Sequence, residues 1–337
     1  MPSILASSIN IIDMKKTALI TGIIGQDGPY LAKLLLEKDY KVYGLIRRYT
    51  NPNFSNLDYL GITDKIEYVA GDMTDENSLT NIVKNVNPDE VYNLAAQSFV
   101  GASWDQARLT TETNALGTLY LLNAVKNFAP NAKFYQASTS EMFGNSHEAG
   151  IQTEETPFHP RSPYAITKLY AYWMAINFKE SYGMFCANGI LFNHESPIRG
   201  IEFVTRKISD GVSRIKLGLA NEIRLGNLDS KRDWGFAGDY VEAMWLMLQQ
   251  EKPENYIVST GETHTIRDFL DVAFNHVGIG DWKKYVKIDP RFKRPAELFT
   301  LQGKSDKARK KLGWKPKVRF KELVRMMVDA DLKRLAK

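Results

Sequence analysis

A glycine-spaced turn, Thr21-Gly22-Ile23-Ile24-Gly25-Gln26-Asp27-Gly28, follows directly on the apolar run Ala18-Leu19-Ile20 and leads into a helical pattern beginning near Tyr30. Gly22, Gly25 and Gly28 permit a tight turn and remove Cβ atoms where an anion approaches, while the helix amino terminus offers free N–H groups to negative charge. The same strand-then-helix rhythm repeats. Short β-branched or aromatic runs recur at Val42-Tyr43-Gly44-Leu45-Ile46, Ile66-Glu67-Tyr68-Val69, Val91-Tyr92-Asn93-Leu94 and Phe134-Tyr135-Gln136-Ala137. Helical spacing lies between them, at 31–36, 79–86 and 116–128. Short connections between such elements predict an α/β fold, a Rossmann-like doubly wound parallel sheet with helices on both faces. After Phe192 the rhythm loosens, with helical stretches at 205–217 and 240–250 and a helical tail at 320–335, which predicts a smaller C-terminal α/β substrate domain. The expected division is an unstructured extension over 1–14, a nucleotide-binding domain over 15–192 with a later contribution near 231–260, and a mainly substrate-binding part over 193–337.

Ligands of doubly wound sheets bind beyond the carboxyl ends of the strands, so the chemistry is sought there. The glycine loop, Gly22, Ile24, Gly25, Gln26, Asp27 and Gly28, is the candidate pyrophosphate site. The second strand ends in Arg47 and Arg48, where an NAD-preferring chain would carry a carboxylate; planar guanidiniums suit a ribose 2′-phosphate, which predicts NADP. Asp72 and Met73 follow the third strand and Leu94, Ala95, Ala96, Gln97 and Ser98 the fourth, where adenine and ribose are expected.

Tyr164 and Lys168 stand four residues apart, one turn apart on one helix face, with Pro163 suited to the first turn. A phenol near pKa 10 is a poor base at neutral pH. Lowering it by roughly three units requires about 4 kcal/mol, which the lysine and an oxidised nicotinamide together could supply. The fifth strand ends in Thr139-Ser140-Glu141, placing hydroxyls beside a sugar alcohol and a carboxylate within reach of a second proton.

Composition narrows the classes. Cys186 is the only cysteine among 337 residues, which excludes an internal disulfide and a multi-cysteine metal site, so no metal is expected and a reducing compartment, the cytoplasm, is inferred. Its apolar flanks predict an inert thiol in a buried strand. No apolar run approaches membrane-spanning length, and a net charge of +5 suits an anionic small molecule better than nucleic acid. The basic cluster Lys307, Arg309, Lys310 and Lys311 reads as the solvated end of a short helix.

Taken in order, the segments 21–28, 93–100, 134–144, 160–173, 189–197, 203–207, 225–229, 231–235 and 294–297 resemble those of the GDP-mannose 4,6-dehydratases, within the extended short-chain dehydrogenase/reductase class. The similarity runs from Lys16 to about Leu332. By that resemblance Thr139, Glu141 and Tyr164 match catalytic residues, and Lys168, His194 and Arg199 match cofactor contacts. Asn193, Val204, Lys207, Arg232, Arg294 and Glu297 fall in segments that surround the GDP-sugar. Departures occur at Ile24, Pro29, Tyr49, Ile198 and Phe299. The implied reaction is dehydration of GDP-mannose by hydride transfer to and from bound NADP, in a homodimer or homotetramer whose loop after Arg48 reaches a neighbour's cofactor. Alternatives are dehydration of another GDP-sugar such as a GDP-heptose, a sugar-nucleotide epimerase or 4-keto reductase lacking the elimination, and a nonenzymatic nucleotide sensor. Glu141 beside Thr139 argues against the second, and Thr139, Glu141, Tyr164 and Lys168 together argue against the third.

Overall fold

The computed structural model describes residues 15–48, 51–145, 150–292, 296, 298 and 300–336. The extension over 1–14, Tyr49, Arg294, Glu297 and Phe299 lie outside the described residues.

The chain begins β1 (Thr17–Thr21), α1 (Asp27–Glu37), β2 (Lys41–Ile46), α2 (Ser55–Leu60), β3 (Glu67–Ala70), α3 (Glu76–Val86) and β4 (Glu90–Asn93). There follow α4 (Ala107–Thr111), a π-helical turn at Glu112–Leu116, α5 (Gly117–Phe128), β5 (Lys133–Thr139), α6 (Pro163–Tyr182), β6 (Cys186–Leu191) and β7 (Asn193–Glu195). Then come α7 (Val204–Lys216), β8 (Ile223–Leu225), β9 (Lys231–Arg232), β10 (Trp234–Phe236), α8 (Ala237–Leu248) and β11 (Tyr256–Val258). The remainder is β12 (His264–Thr265), α9 (Ile266–His276), β13 (Val286–Ile288), β14 (Thr300–Leu301), α10 (Asp306–Leu312) and α11 (Phe320–Leu335).

Seven strands form one parallel sheet in the order β11-β6-β5-β4-β1-β2-β3. The order reverses between β1 and β4, which opens a crevice at their carboxyl ends, as expected of a doubly wound sheet. Strands such as β4 and β6 are buried along their whole length, because helices cover both faces and water reaches neither. One face packs on α1 and α8 through Ile20, Leu31, Leu35, Tyr240 and Met244, the other on α3, α5 and α6 through Leu19, Val91, Leu121, Val125 and Phe178. Cys186 lies 1% exposed on the second face, and burial pushes its thiol up to about 12, so it is a core residue.

Helix boundaries have local causes. Helix α1 begins at Asp27, three residues before the periodicity suggests, because the glycine loop itself turns into the first helical turn. Ser162 caps α6 by accepting from the N–H of Ala165 at 3.1 Å, Pro163 occupies the first turn, and Gly183 ends the helix at φ +68°. Such a cap is worth about 1 kcal/mol.

Beyond β6 the strands shorten to two or three residues and pair in three small sheets, β10-β7, β12-β9-β14 and β13-β8. A second apolar core forms there from α7, α9 and α11, with Val212, Phe269, Phe274, Leu323 and Met327 buried. The chain returns to the large sheet twice. Strand β11 adds to β6, and α10 packs on β11 and α8, with Trp314 edge-on to Tyr240 of α8.

Candidate active site

A cleft opens at the carboxyl ends of β1, β4 and β5. Its walls include Gly22, Gly25, Gln26, Asp27, Gly28, Leu94, Ala95, Ala96 and Ser98 from one side. Thr139, Ser140, Glu141, Tyr164, Lys168, Asn193, His194 and Arg199 complete it.

The glycine loop is held from two directions. Thr21 accepts from the N–H groups of Leu94 and Ala95, both at 3.0 Å, and donates to Asn93 at 2.8 Å, locking β1 to the end of β4. Asn56 donates to the carbonyls of Ile24 and Gly25 at 3.1 and 3.0 Å. Gly22 sits at φ +73°, and a Cβ there would lie 2.9 Å from the Ala95 nitrogen; a Cβ on Gly28 would lie 2.5 Å from the Gly22 oxygen. The turn is therefore too tight for side chains. Gln26 leaves the first turn of α1 uncapped by its side chain, so N–H groups face the cleft, which fits a diphosphate.

Helix α6 delivers Tyr164 and Lys168, each under a tenth exposed. Lys168 donates to the Ala137 carbonyl at 2.9 Å, and burial pulls its ammonium down to about 8 against a smaller opposing pull from Asp27. Burial pushes the Tyr164 phenol up to about 12; a hydrogen bond from Thr139 works downward, and the Glu141 carboxylate works upward. In the protein alone the dry pocket dominates and the Lys168 ammonium turns to the backbone of β5, whereas the expected lowering requires the lysine together with an oxidised nicotinamide. Glu141 is 7% exposed, and its N–H donates to Thr139 Oγ1 at 3.2 Å across the turn that ends β5.

Asp27 and His194 pair at 2.8 Å, with Gln26 donating to Asp27 at 3.1 Å and Arg199 paired with Glu195 at 3.2 Å. Asn193 Oδ1 is buried with no hydrogen-bond partner, an acceptor in the wall of the cleft.

Other candidates stand apart. Arg47 and Arg48 are exposed at the end of β2, and Asp72 and Met73 close β3, with Asp72 accepting from the Thr74 N–H at 2.9 Å. Ile24, Gln97, Val204, Lys207 and Arg232 are not among the residues lining the cleft, although Gln97 and Val204 adjoin its lining residues Ser98 and Phe203 in sequence. Lys207 lies over the Phe292 ring at 3.7 Å, and Arg232 is buried in β9 between β12 and β14.

One positioning residue escaped the sequence reading. Asn114, in the π-helical turn, accepts from the Gln97 N–H at 2.8 Å and donates to the Gln97 carbonyl and Thr167 Oγ1, tying the loop after β4 to α6. Asn114 follows the polar stretch Thr110-Thr111-Glu112-Thr113, ahead of the pattern read over 116–128, and an added backbone residue in a helix is invisible to periodicity.

A profile of the family described as GDP-mannose 4,6 dehydratase matches residues 19–327. The chain belongs to the GDP-mannose 4,6-dehydratase family. It is 52% identical over 334 residues to GDP-mannose 4,6 dehydratase 2 of Arabidopsis thaliana, covering 96% of this chain and 88% of that one. It is 49% identical over 342 residues to GDP-mannose 4,6 dehydratase of Homo sapiens, covering 94% and 92%. Among solved structures, the Thermus thermophilus UDP-glucose 4-epimerase complex with NAD superposes with TM-score 0.82 at 27% identity, covering 94% and 98%. The architecture is thus shared with an epimerase, and sequence identity separates this member of the dehydratase family from it. As such a member the chain is an enzyme, a lyase that acts by dehydration. Among the described residues no helix is long and apolar enough to cross a membrane.

Proposed function

We propose that this chain converts GDP-mannose to GDP-4-keto-6-deoxymannose and water, through internal hydride transfer with NADP as a cofactor that is regenerated in each turnover. The observation that carries the reading is Thr139, Glu141 and Tyr164 converging on one cleft that also contains the glycine loop. A bound nicotinamide supplies the hydride acceptor and later donor, and in its oxidised form the positive charge a buried phenolate needs. Tyr164, oriented by Thr139, takes the proton of the sugar C4 hydroxyl as C4 becomes a ketone. The ketone acidifies the C5 proton, which Glu141 abstracts and passes to the departing 6-hydroxyl, releasing water. Return of the hydride to C6 together with a proton to C5, equivalent to the one Tyr164 took up, would complete the 4-keto-6-deoxy sugar, so that only water is lost and oxidation is balanced within the sugar.

The sheet half, 15–192 with a later contribution near 231–260, is the proposed dinucleotide-binding part, and 193–337 mainly the GDP-sugar part, with Asn193, Val204, Lys207 and Arg232 toward the sugar nucleotide. Arg47 and Arg48, side by side at the end of β2, support NADP over NAD through bidentate contacts to a 2′-phosphate. A homodimer or homotetramer belongs to the proposal; light scattering that gives a monomer removes it.

The deciding experiment incubates the protein with GDP-mannose and other nucleotide sugars without added reductant and follows loss of water by mass spectrometry. Glu141→Gln is expected to oxidise C4, seen as reduced dinucleotide absorbance, while releasing no water. Normal product from that variant refutes the assignment of Glu141.

A further inference from the structure

The hydrogen-bond partners of His194 count its protons. Nδ1 lies 2.8 Å from the Phe192 carbonyl oxygen, which can only accept, so Nδ1 carries hydrogen. Nε2 lies 2.8 Å from Asp27 Oδ2. A neutral ring donating through Nδ1 would aim a lone pair at an ionised carboxylate, so this contact requires one further proton between ring and acid. Its surroundings assign that proton to the ring. Burial disfavours the charged ring, but the charge and hydrogen bond of Asp27 and the Phe192 carbonyl outweigh it and raise His194 above the ordinary histidine value. Burial likewise opposes an ionised Asp27, yet His194, the Gln26 amide and Arg199 together hold the carboxyl below its ordinary range.

We propose that His194 is an imidazolium paired with ionised Asp27, and that the pair is a positioning device neutralising the first-turn carboxylate of α1 so that an anionic diphosphate can approach the glycine loop. The inference rests on the dinucleotide reading above and extends it, since a carboxylate at a helix amino terminus otherwise competes with the phosphate that the same N–H groups attract. The pair also bridges the two halves of the molecule, because His194 belongs to β7 and Asp27 to α1, 167 residues apart. Gln26 strengthens the bridge by donating to both the His194 carbonyl and Asp27, each at 3.1 Å, and by accepting from Ser196 at 3.0 Å.

Other groups face the pair. Arg199, after β7, opposes the imidazolium and supports the carboxylate, and it is itself paired with Glu195. Tyr240 of α8 stacks on the ring at 4.6 Å between centroids. Lys168 and Tyr164 of α6, Tyr30 of α1 and Tyr135 of β5 feel the Asp27 charge, which favours the ammonium and disfavours each phenolate. At neutral pH the tyrosines are uncharged, so the protonation of the pair is decided by Asp27, His194, Arg199 and Lys168.

Two measurements test this on the full chain. Nitrogen-15 NMR of the histidine side chains should show both ring nitrogens of His194 protonated at neutral pH, a state that Asp27→Asn converts to a neutral ring. A neutral His194 in the unaltered protein overturns the proposal. Calorimetric titration with NADP should show His194→Gln weakening binding by about tenfold or more, the scale of one lost opposite charge. Adding Asp27→Asn to that variant should restore most of the affinity, because the repelling carboxylate is gone. Binding by the unaltered protein should weaken as pH rises through the raised histidine value, and Asp27→Asn should flatten that dependence. If the double variant binds as weakly as His194→Gln, His194 acts by touching the cofactor directly and the neutralising role is wrong. If the unaltered protein binds neither NADP nor NAD, the dinucleotide reading fails and the role toward a diphosphate falls with it, whereas the nitrogen shifts still decide the state of the pair.

Discussion

The large sheet and the distal part beyond β6 hold their polar side chains in different ways. In the sheet, strands of three to seven residues share continuous parallel register, and the residues at their carboxyl ends inherit positions from buried backbone. Thr139, Glu141 and the Ala137 carbonyl that receives Lys168 are all set by β5 or the turn that ends it. In the distal part, ladders of two or three residues cannot fix geometry by themselves. Side chains do it instead. Arg206 of α7 donates to the fully buried Asp331 of α11 through Nε at 2.9 Å and Nη2 at 2.6 Å, and its Nη1 donates to the Arg199 carbonyl at 2.9 Å. Ser209 and Arg334 bond the same carboxylate, and Arg334 also donates to the Pro197 carbonyl at 2.9 Å. The segment carrying Arg199 is therefore braced by an ion network on the C-terminal helix. Chemistry placed on rigid strands and recognition placed on side-chain networks should fail differently when perturbed.

The largest expected effect lies at the sheet. Tyr164→Phe should reduce turnover by roughly 10²- to 10⁴-fold, with thermal unfolding little changed; a variant retaining full turnover would remove the phenol from the mechanism. Next comes the distal network. Asp331→Ala leaves Arg206 buried without its acid and should destabilise the protein by about 3–5 kcal/mol, read from the urea midpoint. A shift below about 1 kcal/mol would mean that the helices alone hold this half together.

Lys168 offers a sharper contrast, because its function opposes stability. Its folded-state value, about 8, lies below the ordinary 10.5, so the folded protein disfavours the ammonium. The cost is fully present below pH 8 and is relieved as pH rises from 8 to 10.5, at about 3 kcal/mol in total for the shift. Lys168→Met should remove that cost at pH 7 and lose the Ala137 hydrogen bond, worth about 1 kcal/mol. The net expectation is an inactive protein that is more stable by about 2 kcal/mol at pH 7 and less stable by about 1 kcal/mol toward pH 10.5. Equal or lower stability at pH 7 would show that the lysine is not held against its charge. The smallest effect should come from the rim of the large sheet, where Lys307 and Lys311 pair with Glu254 near solvent. Glu254→Gln should cost below about 1 kcal/mol, measured by the same urea titration.

Much of the sheet half is legible in the chain because its signals are short-ranged. Runs such as 42–46 and 134–137 announce strands, the glycine loop announces a turn, and Tyr164 and Lys168 announce a shared helix face. Burial is another matter. The Tyr164 phenol is pushed up by its dry pocket, since its ionisation depends on how much water the whole fold excludes. Asn114 was passed over because it acts through two distant partners, Gln97 and Thr167. In the distal part the helices at 204–216 and 320–335 follow the periodicity closely, but strands of two residues carry too little pattern to be read.

Local chemistry alone determined that this chain builds a doubly wound sheet with a phosphate-sized turn after its first strand, and resemblance along the chain pointed to its family. Only the tertiary structure decided that residues 256–258 extend the sheet beside β6, that His194 meets Asp27, and that Asp331 braces the Arg199 segment. Periodicity, turns and caps depend on neighbours a few residues away, whereas pairing partners and the charge state of a buried group depend on which distant segments exclude water from it.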